Sequence, residues 1–158
     1  MTIDLRLMGI QDVPEVVAIE NNWNFLSKWG ERGYTAVLSN PHLYTSLLAQ
    51  ELGPMTRIVG FCVLGRFVDH AELCNIVVLP EYVGKGVGSL LIEQCFAICQ
   101  QSGISKLSLE VRQSNQRALR FYERHGFSIH SARKNYYRNP PEDAWVMERC
   151  LPHPLPSS

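Results

Sequence analysis

Neither sign of charge is in excess: 15 Lys and Arg stand against 15 Asp and Glu, for a formal net charge of zero. Binding nucleic acid through overall charge needs a basic surplus, so direct nucleic-acid binding is not expected. No apolar run approaches the roughly 20 residues of a bilayer span, and no membrane partner is expected. The opening MTIDLRLMGIQD carries acids and alternates in polarity, unlike a secretory signal or transit peptide, so the expected compartment is cytoplasmic. Cysteine is scarce and odd in number: Cys62, Cys74, Cys95, Cys99 and Cys150 form no CxxC pair. Cys95 and Cys99 could share a helix face, but no histidine stands at ligand spacing. They read as buried, reduced small hydrophobes, and no metal is expected. Internal repeats and low-complexity tracts are also missing. The 158 residues predict a single domain over 1–151 and a flexible proline-rich tail over 152–158.

What is present is a change of rhythm along the chain. Ile3, Leu5 and Leu7 alternate with polar neighbours, predicting a first strand that Gly9 ends. Asp12 is placed to cap a helix carrying Val13, Val16 and Val17 on one face, with Pro14 in its first turn. Residues 21–33 are polar, aromatic and irregular. A short helix is predicted over 34–39, stopped by Asn40-Pro41. Strand-like runs over 43–50, 57–68 and 71–79 have short polar connections, as in an antiparallel meander. A long apolar-rich helix over 86–102 ends at Gly103, and a short strand over 106–111 follows. A helix over 115–125 ends at Gly126, with Phe127 placed for the contact that accompanies such a cap. Strands over 128–137 and 143–151 complete an α/β (α+β) domain with a mixed sheet.

The most informative segment is NIVVLPEYVGKGVGSLLIEQC, residues 75–95. A buried strand runs through a loop into a helix whose first turn holds Gly84, Gly86 and Gly88. A helix N-terminus offers unpaired N–H groups and a partial positive charge, which suits a pyrophosphate, and Lys85 could add charge at the rim. A P-loop is excluded because Lys85 precedes the glycine pair rather than following it. A dinucleotide fingerprint fits poorly, with Ser89 at its third glycine position and the strand not the first of the domain. A coenzyme A pyrophosphate loop and a merely close-packed turn both remain.

Downstream strings decide between them. The loop resembles the [QR]-x-x-G-x-[GA] acyl-CoA loop of the GNAT superfamily of acetyl-CoA-dependent N-acetyltransferases. Its glycines fall on Gly84, Gly86 and Gly88, while Val83 stands where that family has Gln or Arg. LSLEVRQSNQRALRFYERHGF (107–127) and ARKNYYRNPPEDAWVMER (132–149) are similar to the bacterial ribosomal-protein alanine N-acetyltransferases within it. The resemblance is strong over 71–151 and weak before.

The resemblance implies a GNAT-like central sheet, mixed but mostly antiparallel. It has about seven strands and about four helices, the fourth and fifth strands splaying apart for acetyl-CoA. It implies that Val83, Gly84, Lys85, Gly86, Val87, Gly88 and Ser89 cradle the pyrophosphate. The backbone of Ile76, Val77 and Val78 would pair with pantetheine and supply an oxyanion donor, and Asn115 would touch CoA besides capping its helix. Glu110 would be the base, directly or through a water, and Tyr122 the acid at the CoA sulfur. From the residues alone, Glu110 is the polar face of an amphipathic strand and Tyr122 an inward aromatic. Tyr136 and Tyr137, with Glu72 and Trp23, are the candidates for the acceptor side. Asp69, Glu142, Asp143, Asn24, Phe25 and Trp29 are candidates to shape it. The acceptor implied is a protein N-terminus, an alanine of a small-subunit ribosomal protein. A small amine or a lysine is the alternative, and the chain is expected to be a monomer or weak dimer. A basic acceptor would require the zero net charge to conceal segregation: basic groups by the CoA phosphates, acids by the peptide.

Overall fold

The computed structural model describes residues 1–23 and 28–152; Asn24, Phe25 and the tail from 153 onward lie outside the described residues. Seven strands form one sheet: β1 (Thr2–Leu7), β2 (Tyr44–Leu52), β3 (Arg57–Arg66), β4 (His70–Val78), β5 (Lys106–Arg112), β6 (Ser128–Arg138) and β7 (Pro141–Cys150). The helices are α1 (Val13–Glu20), α2 (Gly30–Leu38), α3 (Val87–Gln101) and α4 (Gln116–Arg124). Among the described residues no helix is long and apolar enough to cross a membrane.

β3 explains the layering. Its hydrophobic residues from Ile58 to Leu64 are all buried, as a strand covered on both faces requires. Cys62 faces α3, with its Sγ 3.6 Å from that of Cys95. Phe61 points the other way and meets Tyr34 of α2 edge-on at 5.5 Å. A Cβ at Gly60 would lie 3.0 Å from the Val77 carbonyl and 3.2 Å from Val87, so glycine there lets α3 settle onto the sheet.

Two expected features differ. Asp12 does not cap α1 with its side chain; its carboxylate takes both terminal nitrogens of Arg6 at 2.8 Å and the Gly9 N–H at 2.8 Å. Arg6 beside it holds the Asp12 carboxyl below its usual range. The second helix begins at Gly30, four residues before the expected Tyr34. Its cap is remote in sequence: the fully buried Glu20 accepts the N–H groups of Trp29 at 3.0 Å and Gly30 at 3.1 Å, and the Tyr34 hydroxyl. Glu20→Ala is expected to lower unfolding free energy by about 2–3 kcal/mol, since it leaves three donors without their acceptor. Urea denaturation checks this.

The sheet order is β1-β2-β3-β4-β5-β7-β6, and every neighbouring pair is antiparallel except β4 and β5. That parallel pair has only three matched positions, His70 with Lys106, Ala71 with Leu107 and Glu72 with Ser108. The reason lies on the other edge of β4. Leu64 pairs with Leu73 and Val63 with Asn75, which leaves Cys74 as an extra residue. A bulge bends and twists its strand, and here it turns β4 away from β5 directly after their last pairing.

Candidate active site

The divergence of β4 and β5 opens a cavity on each side. One, of about 610 Å³, lies between the end of β4, the glycine loop and α4. The other, of about 370 Å³, lies between β4, β5 and the β6–β7 hairpin. Ile76, Asn115, Ala118 and Tyr122 line both, so the two meet at these four residues.

In the larger cavity the glycines act in two ways. Gly84 and Gly86 have φ of +80° and +88°, a backbone that side chains resist, and a Cβ at either would meet nothing within 4 Å. Both are therefore required by conformation, and both leave open space. Gly88 serves close packing: its Cβ would lie 3.2 Å from the Phe121 ring of α4, so that ring would have to give way. The first bond of α3 runs from Leu90 N–H to the Gly86 carbonyl, leaving the N–H groups of Val87, Gly88 and Ser89 without helical acceptors. Ile76, Val77, Val78 and Val83 line the same cavity, and the Ser89 hydroxyl is hydrogen-bonded to His125 Nε2 at 3.0 Å. Two neighbouring residues do not line it. Val87 is buried against Gly60, and the Lys85 ammonium lies 5.4 Å from the centre of the Tyr82 ring.

Sequence reasoning missed the basic side of this cavity. Arg117, Arg120 and Arg124 all line it. Their spacing of three and four residues puts them on one face of α4, and that periodicity was the available signal.

Asn115 caps α4, its Oδ1 accepting the Ala118 N–H at 3.1 Å; Ser114 instead donates its hydroxyl to Glu142 at 2.9 Å. The Tyr122 carbonyl accepts the Phe127 N–H at 3.0 Å beyond left-handed Gly126, and the Phe127 ring packs on Tyr122 at 5.8 Å. The cap thus fixes the tyrosine. Tyr122 is only 9% exposed, and burial pushes its phenol up, so it stays protonated at neutral pH.

The smaller cavity gathers Glu72, Glu110, Tyr136 and Tyr137. Consecutive strand residues ordinarily face opposite ways. Here β6 has two extra residues between Arg133, paired with Ala144, and Tyr137, paired with Glu142. Asn135 takes φ of +55° within that bulge, its N–H held by Asp143 at 2.8 Å, and both tyrosines reach the cavity. Arg112 braces Tyr137: its guanidinium lies 4.2 Å from the ring centre and donates to the Pro140 carbonyl at 2.8 Å and the Asn139 carbonyl at 3.0 Å. Glu110 accepts from Arg133 at 3.0 Å. Burial, then a hydrogen bond to Glu110 and its charge, push the Glu72 carboxyl up to about 7.

Several acceptor-side candidates are placed differently. Trp23 lines the larger cavity, not the smaller, and its indole N–H donates to the Val78 carbonyl at 3.0 Å. Trp29 and Tyr44, the latter unforeseen, line the smaller one. Glu142 is engaged by Ser114 and Arg112, Asp143 by the Asn135 N–H, and Asp69 by His70 at 2.9 Å. Of the acids considered for the acceptor, only Glu72 lines this cavity, beside Glu110. Among the described residues no group of three or more His, Cys, Asp or Glu could hold a metal ion.

A splayed β4/β5 pair with a glycine loop and helix N-terminus on one side is the architecture of an acyl-CoA-dependent acetyltransferase. Residues 14–127 match the acetyltransferase (GNAT) family, and the chain belongs to it. It is 31% identical over 138 residues to the [ribosomal protein bS18]-alanine N-acetyltransferase of Escherichia coli (strain K12), covering 86% of this chain and 89% of that one. The enzyme so named from Salmonella typhimurium is 30% identical over 145 residues, covering 90% and 94%. A Bacillus subtilis protein, 32% identical over 144 residues and covering 90% and 92%, carries that name provisionally. The crystal structure of the ribosomal-protein-S18-alanine N-acetyltransferase from Escherichia coli superposes with a TM-score of 0.85 at 26% identity, covering 99% of each chain.

Proposed function

We propose that this chain, as one acetyltransferase domain over 1–151, transfers acetyl from acetyl-CoA to the N-terminal α-amine of a protein. The acceptor is the alanine at the N-terminus of ribosomal protein bS18. The observation that carries the reading is the meeting of two cavities at Tyr122, one fit for a phosphorylated thioester and the other for an amine. The relatives' shared name supplies the acceptor.

The larger cavity takes acetyl-CoA. The Gly84–Ser89 loop offers backbone N–H groups to the pyrophosphate, and Arg117, Arg120 and Arg124 supply positive charge. Beyond Glu72 the edge of β4 that faces β5 has no ladder partner among the described residues, so the main chain of Ile76 and the Val78 N–H are available to pantetheine amides and to the oxyanion, while the Val77 main chain faces β3. Trp23 holds the Val78 carbonyl and steadies that edge. The amine enters between Tyr136, Tyr137 and Trp29. An α-amine titrates at roughly 8, so a carboxylate of the smaller cavity can draw its proton while the nitrogen attacks the thioester carbon. Tyr122 protonates the departing thiolate.

An acceptor panel tests this. A peptide beginning with alanine and followed by basic residues is expected to release CoA with a kcat/KM roughly 10-fold or more above lysine side chains in N-terminally blocked peptides and above small amines. A preference for small amines or blocked peptides overturns the acceptor assignment.

A further inference from the structure

Glu72 and Glu110 are brought together by the place where the sheet parts. Glu72 pairs with Ser108 at the last matched position of β4 and β5, and Glu110 lies two residues further along the same face of β5. They are diagonal neighbours, within reach of long side chains. The bulge at Cys74 then carries β4 away, so the two carboxyls stand together at the mouth of the opening, both lining the smaller cavity. One oxygen of Glu110 is occupied by Arg133 at 3.0 Å. Among the described residues Glu72 has no cation within ion-pair distance.

We propose that the proton acceptor is the Glu72–Glu110 pair, in which Glu72 takes the amine's proton and Glu110, held by Arg133, positions it. This deepens the acetyltransferase reading and rests on it. As the amine nitrogen forms its bond to the thioester carbon, an N–H proton passes to a Glu72 oxygen. The C–S bond then breaks, the thiolate takes the Tyr122 proton, and the proton on Glu72 returns to the phenolate through solvent. Amine and thioester become amide and thiol with no other reactant. Two carboxyls that share a proton titrate as a unit. The groups facing Glu72 are Glu110 from β5, Arg133 and Tyr136 from β6, and His70 and Cys74 on its own strand; burial first, and then Glu110, outweigh Arg133 and His70 and hold its carboxyl at about 7. A proton acceptor works best when it titrates near the working pH.

The test compares Glu72→Gln, Glu110→Gln, the double variant and Glu72→Asp, using whichever amine of the acceptor panel reacts fastest. Glu72→Gln is expected to lower kcat/KM roughly 100-fold with acetyl-CoA affinity unchanged, and Glu72→Asp to recover part of the loss. The wild-type pH–rate profile is expected to rise through about 7, and that limb should vanish in Glu72→Gln, leaving only the amine's own titration. The double variant should be no slower than the slower single variant, as residues acting as a unit require.

Stability gives a second readout. The folded protein keeps a proton on Glu72 up to about 7, whereas an unfolded chain releases it near 4.5, so this group costs stability as pH rises between those values. The melting temperature of wild type should therefore fall more than that of Glu72→Gln from about pH 5 to about pH 8. If Glu72→Gln keeps rate and pH profile while Glu110→Gln is crippled, the pair is overturned and the acetyltransferase reading stands. If wild type acetylates no amine, both fall.

Discussion

Tyr122→Phe is expected to lower kcat by roughly 100-fold while acetyl-CoA affinity stays within about twofold of wild type. The change removes one hydroxyl and leaves the ring that packs on Phe121 at 5.4 Å and Phe127 at 5.8 Å, so the wall between the cavities keeps its shape. What is lost is a proton donor at the meeting point. Burial raises the phenol, so wild-type Tyr122 is protonated throughout the neutral range and its donor role does not titrate there. The rate loss should therefore be the same at every pH across that range, in contrast to a change in the base. Acceptors with more basic amines do not repair a missing acid, so the loss should also persist across the amine panel. A Tyr122→Phe enzyme within about threefold of wild-type kcat removes Tyr122 from the chemistry and leaves it as packing.

Gly86→Val is expected to weaken acetyl-CoA binding by roughly 10- to 30-fold, measured by calorimetry. The physical cause is conformational. Gly86 sits at φ of +88° as the residue before α3, and a β-branched side chain resists that region by about 1–2 kcal/mol. No protein atom lies within 4 Å of the new Cβ, so packing does not suffer directly. The chain relieves the strain by rotating the loop, which misaims the N–H groups at the start of α3. The buried face of α3, including Val87, Leu91, Ile92 and Cys95, still holds the helix on the sheet, so the fold should survive. Gly88→Ala is the contrasting change: its backbone needs no glycine, but the methyl presses on Phe121 at 3.2 Å. Unchanged affinity in Gly86→Val would reduce the loop to a structural turn.

Much of this fold is written locally. Alternation in β1, the glycine ends of α3 and α4 and the Asn115 cap are properties of short segments, and each stands within a few residues of its expected place. The glycine loop is legible for the same reason: positive φ at Gly84 and Gly86 is a local demand that few other residues meet. Glu110 and Tyr122 are different. Strand and helix periodicity make them a polar face and an inward aromatic. Only the ordered strings shared with the acetyltransferases single them out.

The rest depends on residues far apart in sequence. Trp23 turns to the larger cavity because its indole finds the carbonyl of Val78, 55 residues away. The start of α2 is set by Glu20 from the preceding helix, because no local side chain caps it. Glu142 looks free in sequence yet is spent on Ser114 and Arg112. By itself the sequence determined the elements, the glycine loop and the family, since these rest on local conformation and ordered motifs. The tertiary structure alone decided that β4 leaves β5 after Glu72, that two carboxyls meet there, and that three arginines of α4 face the glycine loop. Those outcomes follow from strand register and helix rotation, which long-range pairing sets and no short stretch of chain encodes.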